Sequence, residues 1–206
     1  FPELTLTGYP PEDLLLKDDF IAKNKKLLKH LTLGVKGIVA VVGYVEKVKR
    51  SLYNSAALLH KGRIVGNYRK MILPNYGVFD EKRYFIEGNE PTCFVMNGIK
   101  IGLTICEDIW DANGPGKRIC EEGQADIFLN ISSSPYFKGK GKVREEVIRQ
   151  RARQYKAHIV YANLIGGQDE LVFDGQSLVV APDGTFITKG NAFEEEMIYA
   201  DLKIHP

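Results

Sequence analysis

Residues 100–110 read Lys-Ile-Gly-Leu-Thr-Ile-Cys-Glu-Asp-Ile-Trp. The apolar run before Cys106 fits a short buried strand, and that strand ends on a thiol. Two carboxylates, Glu107 and Asp108, and an aromatic ring, Trp110, come directly after it. A thiol placed where a buried strand gives way to a loop is held by a sheet and still meets a substrate. The plainer reading is that free cysteine is among the most buried residue types and often just fills core.

Strand signals spread outward from this segment. Residues 94–96 and 99–105 flank Asn97-Gly98, the strongest short hairpin signal. Residues 125–131 (ADIFLNI) form another buried run, and residues 158–164 return as a strand. Between them, residues 144–156 carry Val147, Ile148, Ala152 and Tyr155 on one side of a charged amphipathic helix. Residues 177–181 and 185–188 flank Pro182-Asp183-Gly184 as a further hairpin, and residues 197–204 read as a last strand. Toward the amino terminus, residues 37–45 (GIVAVVGYV) are nearly all apolar, as in a strand buried on both faces. Residues 53–59 and 64–69 flank Lys61-Gly62 as a hairpin. A helix capped by Asp18 or Asp19 carries Phe20, Ile21, Leu27, Leu28 and Leu31 at helical spacing. Tyr9-Pro-Pro-Glu-Asp13 is a turn. Strands outnumber helices and many are joined by hairpins, unlike the regular alternation of a doubly wound parallel sheet. The pattern suggests an α/β or α+β domain of mixed sheets with a few covering helices.

The chain has 206 residues, 44% hydrophobic and 26% charged, with a formal net charge of +2. That supports one domain with a sizeable core, and no repeat or linker divides it. The charge points to neither a nucleic-acid nor a membrane partner, and no apolar run is long enough to span a bilayer. Cys93, Cys106 and Cys120 make neither a disulfide framework nor a zinc spacing, so no metal site is expected. A reducing, cytoplasmic setting fits best.

A cysteine nucleophile needs a base for its proton and positive charge or N–H donors where an oxyanion develops. His30, His60, His158 and His205 carry no catalytic context, which argues against a Cys-His pair. A carboxylate with a lysine is the other route. Glu3 stands behind a proline in an apolar stretch, where a carboxylate is costly to bury unless it is used or paired. Lys70 ends the strand Asn67-Tyr-Arg-Lys70, and Pro74 prevents the strand from continuing. Each alone says little, since most lysines lie on the surface.

Taken together, FPELTLTGYPPEDLL (1–15), RKMILPNYGVFDEKRYF (69–85), GLTICEDIW (102–110), NISSSPYFKGK (130–140) and GGQDELVFDGQS (166–177) resemble the nitrilase superfamily. They look most like its branch of glutaminase domains in glutamine-dependent NAD⁺ synthetases. The resemblance implies a four-layer α-β-β-α sandwich whose first strand and helix would precede Phe1. It implies hydrolysis of the side-chain amide of L-glutamine by a Glu-Lys-Cys triad. Cys106 matches the nucleophile, Glu3 the general base and Lys70 the lysine that stabilises the oxyanion with the N–H of Glu107. Glu81 matches a second, supporting glutamate. Glu107 is implied for the substrate ammonium, Ser134 and Lys140 for its carboxylate, and Tyr76 and Tyr9 for the pocket. Trp110 is either pocket wall or core, and Cys93 and Cys120 match nothing catalytic. Arg149, Arg151 and Arg153 read as a solvated or interface helix face. Residues 166–177 resemble a loop at the active-site mouth. No cofactor is implied for the glutaminase reaction. ATP and Mg²⁺ belong to the synthetase domain, whose Ser-Gly-Gly-x-Asp-Ser loop is absent from these 206 residues. That domain is the expected partner, together with further copies of this chain as a homo-oligomer. Two other readings fit the same residues: a stand-alone nitrilase-fold amidase or carbamoylase on another small amide, and a catalytically silent domain.

Overall fold

A computed structural model describes residues 1–204, which fall into two compact units, residues 1–90 and the chain from Pro91 on. In the first unit, helix α1 (Asp18–Gly34) precedes three antiparallel strands in the order β1 (Val39–Val48), β2 (Ser51–His60), β3 (Arg63–Arg69). Val42 faces Ala57 and Gly43 faces Ala56 in the β1–β2 ladder. Side chains alternate across a strand, so the sheet has two distinct faces. Ala40, Val42, Tyr44, Ala57 and Leu59 form one, packed with Leu28 of α1. Lys17, not Asp18 or Asp19, is the N-cap; both acids lie in the first turn, where they favour the positive end of the helix dipole. Asn24 pins α1 to β1 by donating to the Val45 carbonyl at 2.7 Å.

The opposite face of this sheet holds the amino-terminal segment. The Phe1 ammonium donates to the Val41 carbonyl at 2.9 Å and Leu6 N–H to the Gly43 carbonyl at 3.4 Å. At Gly43 a Cβ would stand 2.4 Å from both Leu4 N and Pro2 O. The glycine therefore creates the space in which residues 2–4 cross the strand. Just beyond, Leu4 sits at φ 46° and its carbonyl accepts from Thr7 and Gly8 N–H groups. This tight turn directs Glu3 inward, where it is wholly buried.

The second unit is built on a six-stranded mixed sheet. Its strands are β4 (Thr92–Met96), β5 (Ile99–Ile105), β6 (Ile127–Ser132), β7 (His158–Asn163), β10 (Leu178–Val180) and β11 (Phe186–Lys189), ordered β11-β10-β7-β6-β5-β4. Strands β5, β6 and β7 are parallel, and parallel neighbours need crossovers. Helix α2 (Pro115–Gly123) supplies the first and α3 (Lys140–Tyr155) the second. Ile119, Ile148, Ala152 and Tyr155 of these helices bury against Phe128, Ile159 and Tyr161 of the sheet. A two-stranded hairpin, β8 (Ile165–Gln168) and β9 (Leu171–Asp174), comes after β7.

Several expectations are corrected. Helix α2 was not anticipated from the sequence; its Pro115 stands in the first turn, where its missing N–H costs nothing. Helix α3 begins at Lys140, four residues earlier than its apolar stripe suggests. Residues 166–177 include the β8–β9 hairpin instead of a plain loop. Residues 197–204 form no strand. Met197 and Tyr199 are largely exposed, so the apolar alternation there buries no face and finds no ladder. His205 lies outside the described residues. Among those described, no helix is long and apolar enough to cross a membrane, and the three cysteines remain thiols.

The close passage over Gly43 sets a test. Gly43→Ala should lower the urea midpoint of unfolding by an amount equivalent to about 1–3 kcal/mol, as expected of overpacking. An unchanged midpoint would show that residues 2–4 do not run across β1.

Candidate active site

Each unit gathers one group of the residues singled out in the sequence. In the first, Lys70 comes just past the end of β3 and has no solvent exposure. Its ammonium lies 2.7 Å from Glu3 Oε1 and 2.6 Å from Glu81 Oε1. A buried charge is costly unless paired and hydrogen-bonded, and both carboxylates here are buried too. Tyr9 donates its hydroxyl to Glu81 Oε1 at 2.7 Å. Asn54 of β2 donates its side-chain amide to Glu3 Oε1 at 2.7 Å, while its backbone carbonyl accepts the Lys70 backbone N–H at 2.8 Å. Asn54 of β2 thus ties Glu3 to Lys70. The sequence reading missed it, because a lone asparagine in a strand carries no signal of its partner.

Two carboxylates share one lysine, so one carboxylate is left with an excess of negative charge. Glu81 takes the consequence: burial pushes its carboxyl up to about 7, with the Glu3 charge adding to the rise and Lys70 opposing it. Its Oε2 has no hydrogen-bond partner among the described residues, which suits a group that carries a proton near neutrality. Glu81 also lines a surface cleft with Tyr9, Pro11, Asp80 and Tyr84. Tyr76 stands nearby in sequence on an exposed loop, its ring edge-on to Phe79 at 5.4 Å.

In the second unit, Cys106 succeeds the last residue of β5, and the chain then winds into a 3₁₀ turn, Cys106–Ile109. Cys106 has φ 45°, a left-handed conformation that costs a residue with a Cβ about 1–2 kcal/mol. Such strain persists only where surroundings hold it. Asp108, fully buried, accepts the Ile105 N–H at 2.9 Å and so binds the turn back onto the strand end. The neighbouring parallel strands end at the same level: Ile105 pairs with Ile131 and Ser132 with Asn163. Carboxyl ends of parallel strands are where open α/β sheets place ligands. Asn163 organises this edge by accepting from the Ser134 N–H at 3.0 Å and donating to the Gly175 carbonyl at 2.8 Å. Ser134 is itself buried.

Lys140 opens α3 and lies with its ammonium 3.9 Å above the Trp110 ring. Burial lowers its pKa, while the Cys106 and Glu107 charges oppose that fall. Trp110 packs against the core, one of the two alternatives left open by the sequence, and presents its ring face to Lys140. Just inside α3, Arg144 makes a buried bidentate pair with Asp174, at 2.9 and 2.7 Å. That pair fastens β9 to the helix and was not legible beforehand.

Of the three arginines read as a solvated or interface face, Arg153 is exposed and Arg149 half-buried, but Arg151 is buried. Arg149 donates to the Gly184 carbonyl and Arg153 to the Asp183 carbonyl, bracing the β10–β11 turn. Arg151 is buried and donates to the carbonyls of Ile109 and Trp110, at 2.9 and 2.8 Å. Among the described residues no group of three or more His, Cys, Asp or Glu side chains is arranged to hold a metal ion.

Comparison with known proteins agrees with this architecture. The family model described as carbon-nitrogen hydrolase matches residues 1–205. The glutamine-dependent NAD(+) synthetase of Thermotoga maritima is 43% identical over 206 residues, covering 99% of this chain and 36% of that protein. The one from Aquifex aeolicus is also 43% identical, with the same coverage of each. The chain thus spans little more than a third of the length of the curated relatives it matches. A solved glutamine-dependent NAD⁺ synthetase from Acinetobacter baumannii, in complex with adenosine diphosphate, superimposes with a TM-score of 0.91 at 42% identity, over 95% of this chain and 37% of that one. A carbon-nitrogen hydrolase from Helicobacter pylori shares the fold, with a TM-score of 0.80 at 24% identity over 94% of this chain and 73% of that one.

The shared lysine makes the Glu81 titration diagnostic. Carboxyl-detected NMR should give Glu81 a midpoint near 7. Glu3→Gln removes a like charge and should lower that midpoint. Lys70→Met removes the opposing cation and should raise it. Movement of either variant in the other direction would break the three-group description.

Proposed function

We propose that this chain, which belongs to the carbon-nitrogen hydrolase family, hydrolyses the side-chain amide of glutamine with Cys106, Glu3 and Lys70 acting as one site. The observation that carries the reading is the wholly buried Lys70–Glu3 pair at 2.7 Å. A cation and a carboxylate kept out of water at such cost suit chemistry better than stability. The substrate is inferred from the relatives, which are named for their dependence on glutamine.

In this mechanism Glu3 takes the Cys106 proton as the thiolate attacks the amide carbon. The negative charge that develops on the amide oxygen is met by the Lys70 ammonium and the N–H of Glu107. Collapse of the tetrahedral adduct breaks the C–N bond, and Glu3 returns its proton to the departing ammonia. Water, deprotonated by Glu3, then attacks the thioester and releases glutamate and the thiol. The Lys70 charge also favours the thiolate form of Cys106. Glu81, holding a proton through much of the neutral range, leaves Lys70 with one full counter-charge instead of two, so the lysine keeps more of its field for the oxyanion.

Recognition of the amino-acid head would fall to Glu107 for the ammonium and to Ser134 and Lys140 for the carboxylate. Tyr9 and Tyr76 would close the pocket. Lys140 suits its role because Trp110 fixes its direction without neutralising its charge. We further propose that the ammonia serves the ATP-dependent amidation of deamido-NAD⁺ to NAD⁺ on a synthetase domain like that of the relatives, where ATP and Mg²⁺ would bind. The working form would be a cytoplasmic homo-oligomer.

The test is ammonia release from glutamine, alongside intact-protein mass after treatment with the glutamine-like electrophile diazo-oxo-norleucine. Wild type should release ammonia and take one adduct, mapped to Cys106. Cys106→Ala should do neither. Lys70→Met, losing an oxyanion partner, should drop kcat by about 10²–10³-fold. Hydrolysis of simple aliphatic amides with no turnover of glutamine would overturn the substrate assignment. A folded Cys106→Ala variant that retains activity would overturn the nucleophile.

A further inference from the structure

The turn that carries Cys106 is short and is braced by side chains on both of its sides. A 3₁₀ turn of four residues satisfies few of its own backbone groups. It closes at its end with the Trp110 N–H donating to the Glu107 carbonyl, at 2.9 Å. Its first residue has the left-handed φ of 45°. The amino-terminal side is tied by Asp108 to Ile105 N–H. On the carboxyl-terminal side, Arg151 donates to the carbonyls of Ile109 and Trp110. The remaining arm of the guanidinium donates to Gln154 Oε1 at 3.1 Å, and Gln154 in turn donates to the Ala112 carbonyl at 2.7 Å. Among the described residues Arg151 makes no ion pair. A buried charge with only carbonyl acceptors is a poor device for stability, but a planar fork that grips two carbonyls at once is a good device for geometry.

We propose that Arg151 is a positioning residue for catalysis. By gripping the Ile109 and Trp110 carbonyls it keeps the turn wound, and with it the direction of the Glu107 N–H that faces the oxyanion in the proposed reaction. The inference rests on that reading of Cys106 as nucleophile. It also gives α3 two tasks: its first turn carries Lys140, and its fourth carries the grip on the nucleophile turn. Ile148 and Ala152, buried in the core beside Arg151, fix the helix from which the grip is made.

The test compares wild type, Arg151→Lys and Arg151→Met in the full chain. It measures kcat and KM for glutamine, the burst of Cys106 acylation by p-nitrophenyl acetate, and the rate of Cys106 alkylation by iodoacetamide. Alkylation displaces iodide in one step without an oxyanion, so it reports on the thiol alone. Arg151→Met should lower kcat and the acylation burst by roughly 30-fold or more, with KM and alkylation each changed by less than about threefold. Guanidinium chloride at millimolar concentration should restore acylation in the Met variant. Arg151→Lys, which offers one donor group for two carbonyls, should fall between. A Met variant that acylates at the wild-type rate would overturn the proposal. So would a loss of acylation matched by an equal loss of alkylation and unmoved by guanidinium, since that is the mark of a merely structural role. The ester keeps the claims apart: wild type that acylates with it but ignores glutamine removes the substrate assignment and leaves Arg151 testable on the burst.

Discussion

The ammonium of Lys70, out of contact with water and held between Glu3 and Glu81 at 2.7 and 2.6 Å, sets the terms for the first half of the chain. A lone buried cation would lose its proton or unfold the site, so the carboxylates must be delivered to it from distant parts of the sequence. Glu3 arrives because Gly43 leaves room for residues 2–4 against β1 and because the turn after Leu4 sends the chain inward. Glu81 arrives on the short 3₁₀ turn Glu81–Arg83, its N–H bonded to the Pro74 carbonyl. Asn54 joins Glu3 to Lys70 from β2. Burial, with the Glu3 charge adding to it, raises the carboxyl of Glu81 to about 7 against the pull of Lys70.

The second half is governed by a different constraint, the conformation of one residue. Placing a thiol at the tip of β5 with φ 45° costs backbone energy, and neighbours on both sides supply the restraint. Asp108 is local and acts on the strand end. Arg151 comes from α3, some forty residues later in the chain. The same helix presents Lys140 above Trp110 and anchors β9 through Arg144 and Asp174. Helix α3 thereby couples the Cys106 turn, the proposed carboxylate-binding lysine and the β8–β9 hairpin in one element.

Much of this was legible in the sequence, for physical reasons that differ from place to place. The strand before Cys106, the Asn97-Gly98 turn and the β10–β11 turn depend on short-range patterning and turn chemistry, and each appears where the pattern put it. Cys106, Glu3 and Lys70 stood out through a resemblance carried by whole segments, since no single one of them is unusual. Long-range partners were not legible. Nothing near Asn54, Asp174 or Arg151 announces the carboxylate, guanidinium or carbonyl it meets, because those contacts are set by packing across the fold. Arg151 was misread for that reason: a charged residue on an amphipathic helix is ordinarily solvated, and only the buried turn opposite shows otherwise. Helix α2 opens on a Gly-Pro-Gly string, which favours a turn and a helix start equally. Residues 197–204 had the alternation of a strand but no ladder to join.

The proposed reaction requires the Glu3–Lys70 pair and Cys106 to work on the same reacting carbon. The most direct measurement is the pH dependence of Cys106 alkylation by iodoacetamide, mapped by mass spectrometry to exclude Cys93 and Cys120, in wild type and in folded Lys70→Met. If the lysine charge acts on the thiol, its loss must raise the apparent pKa of Cys106 and move the alkylation curve to higher pH. Coincident curves for the two proteins would contradict that requirement, for they would mean that the buried lysine and the thiol do not share a site.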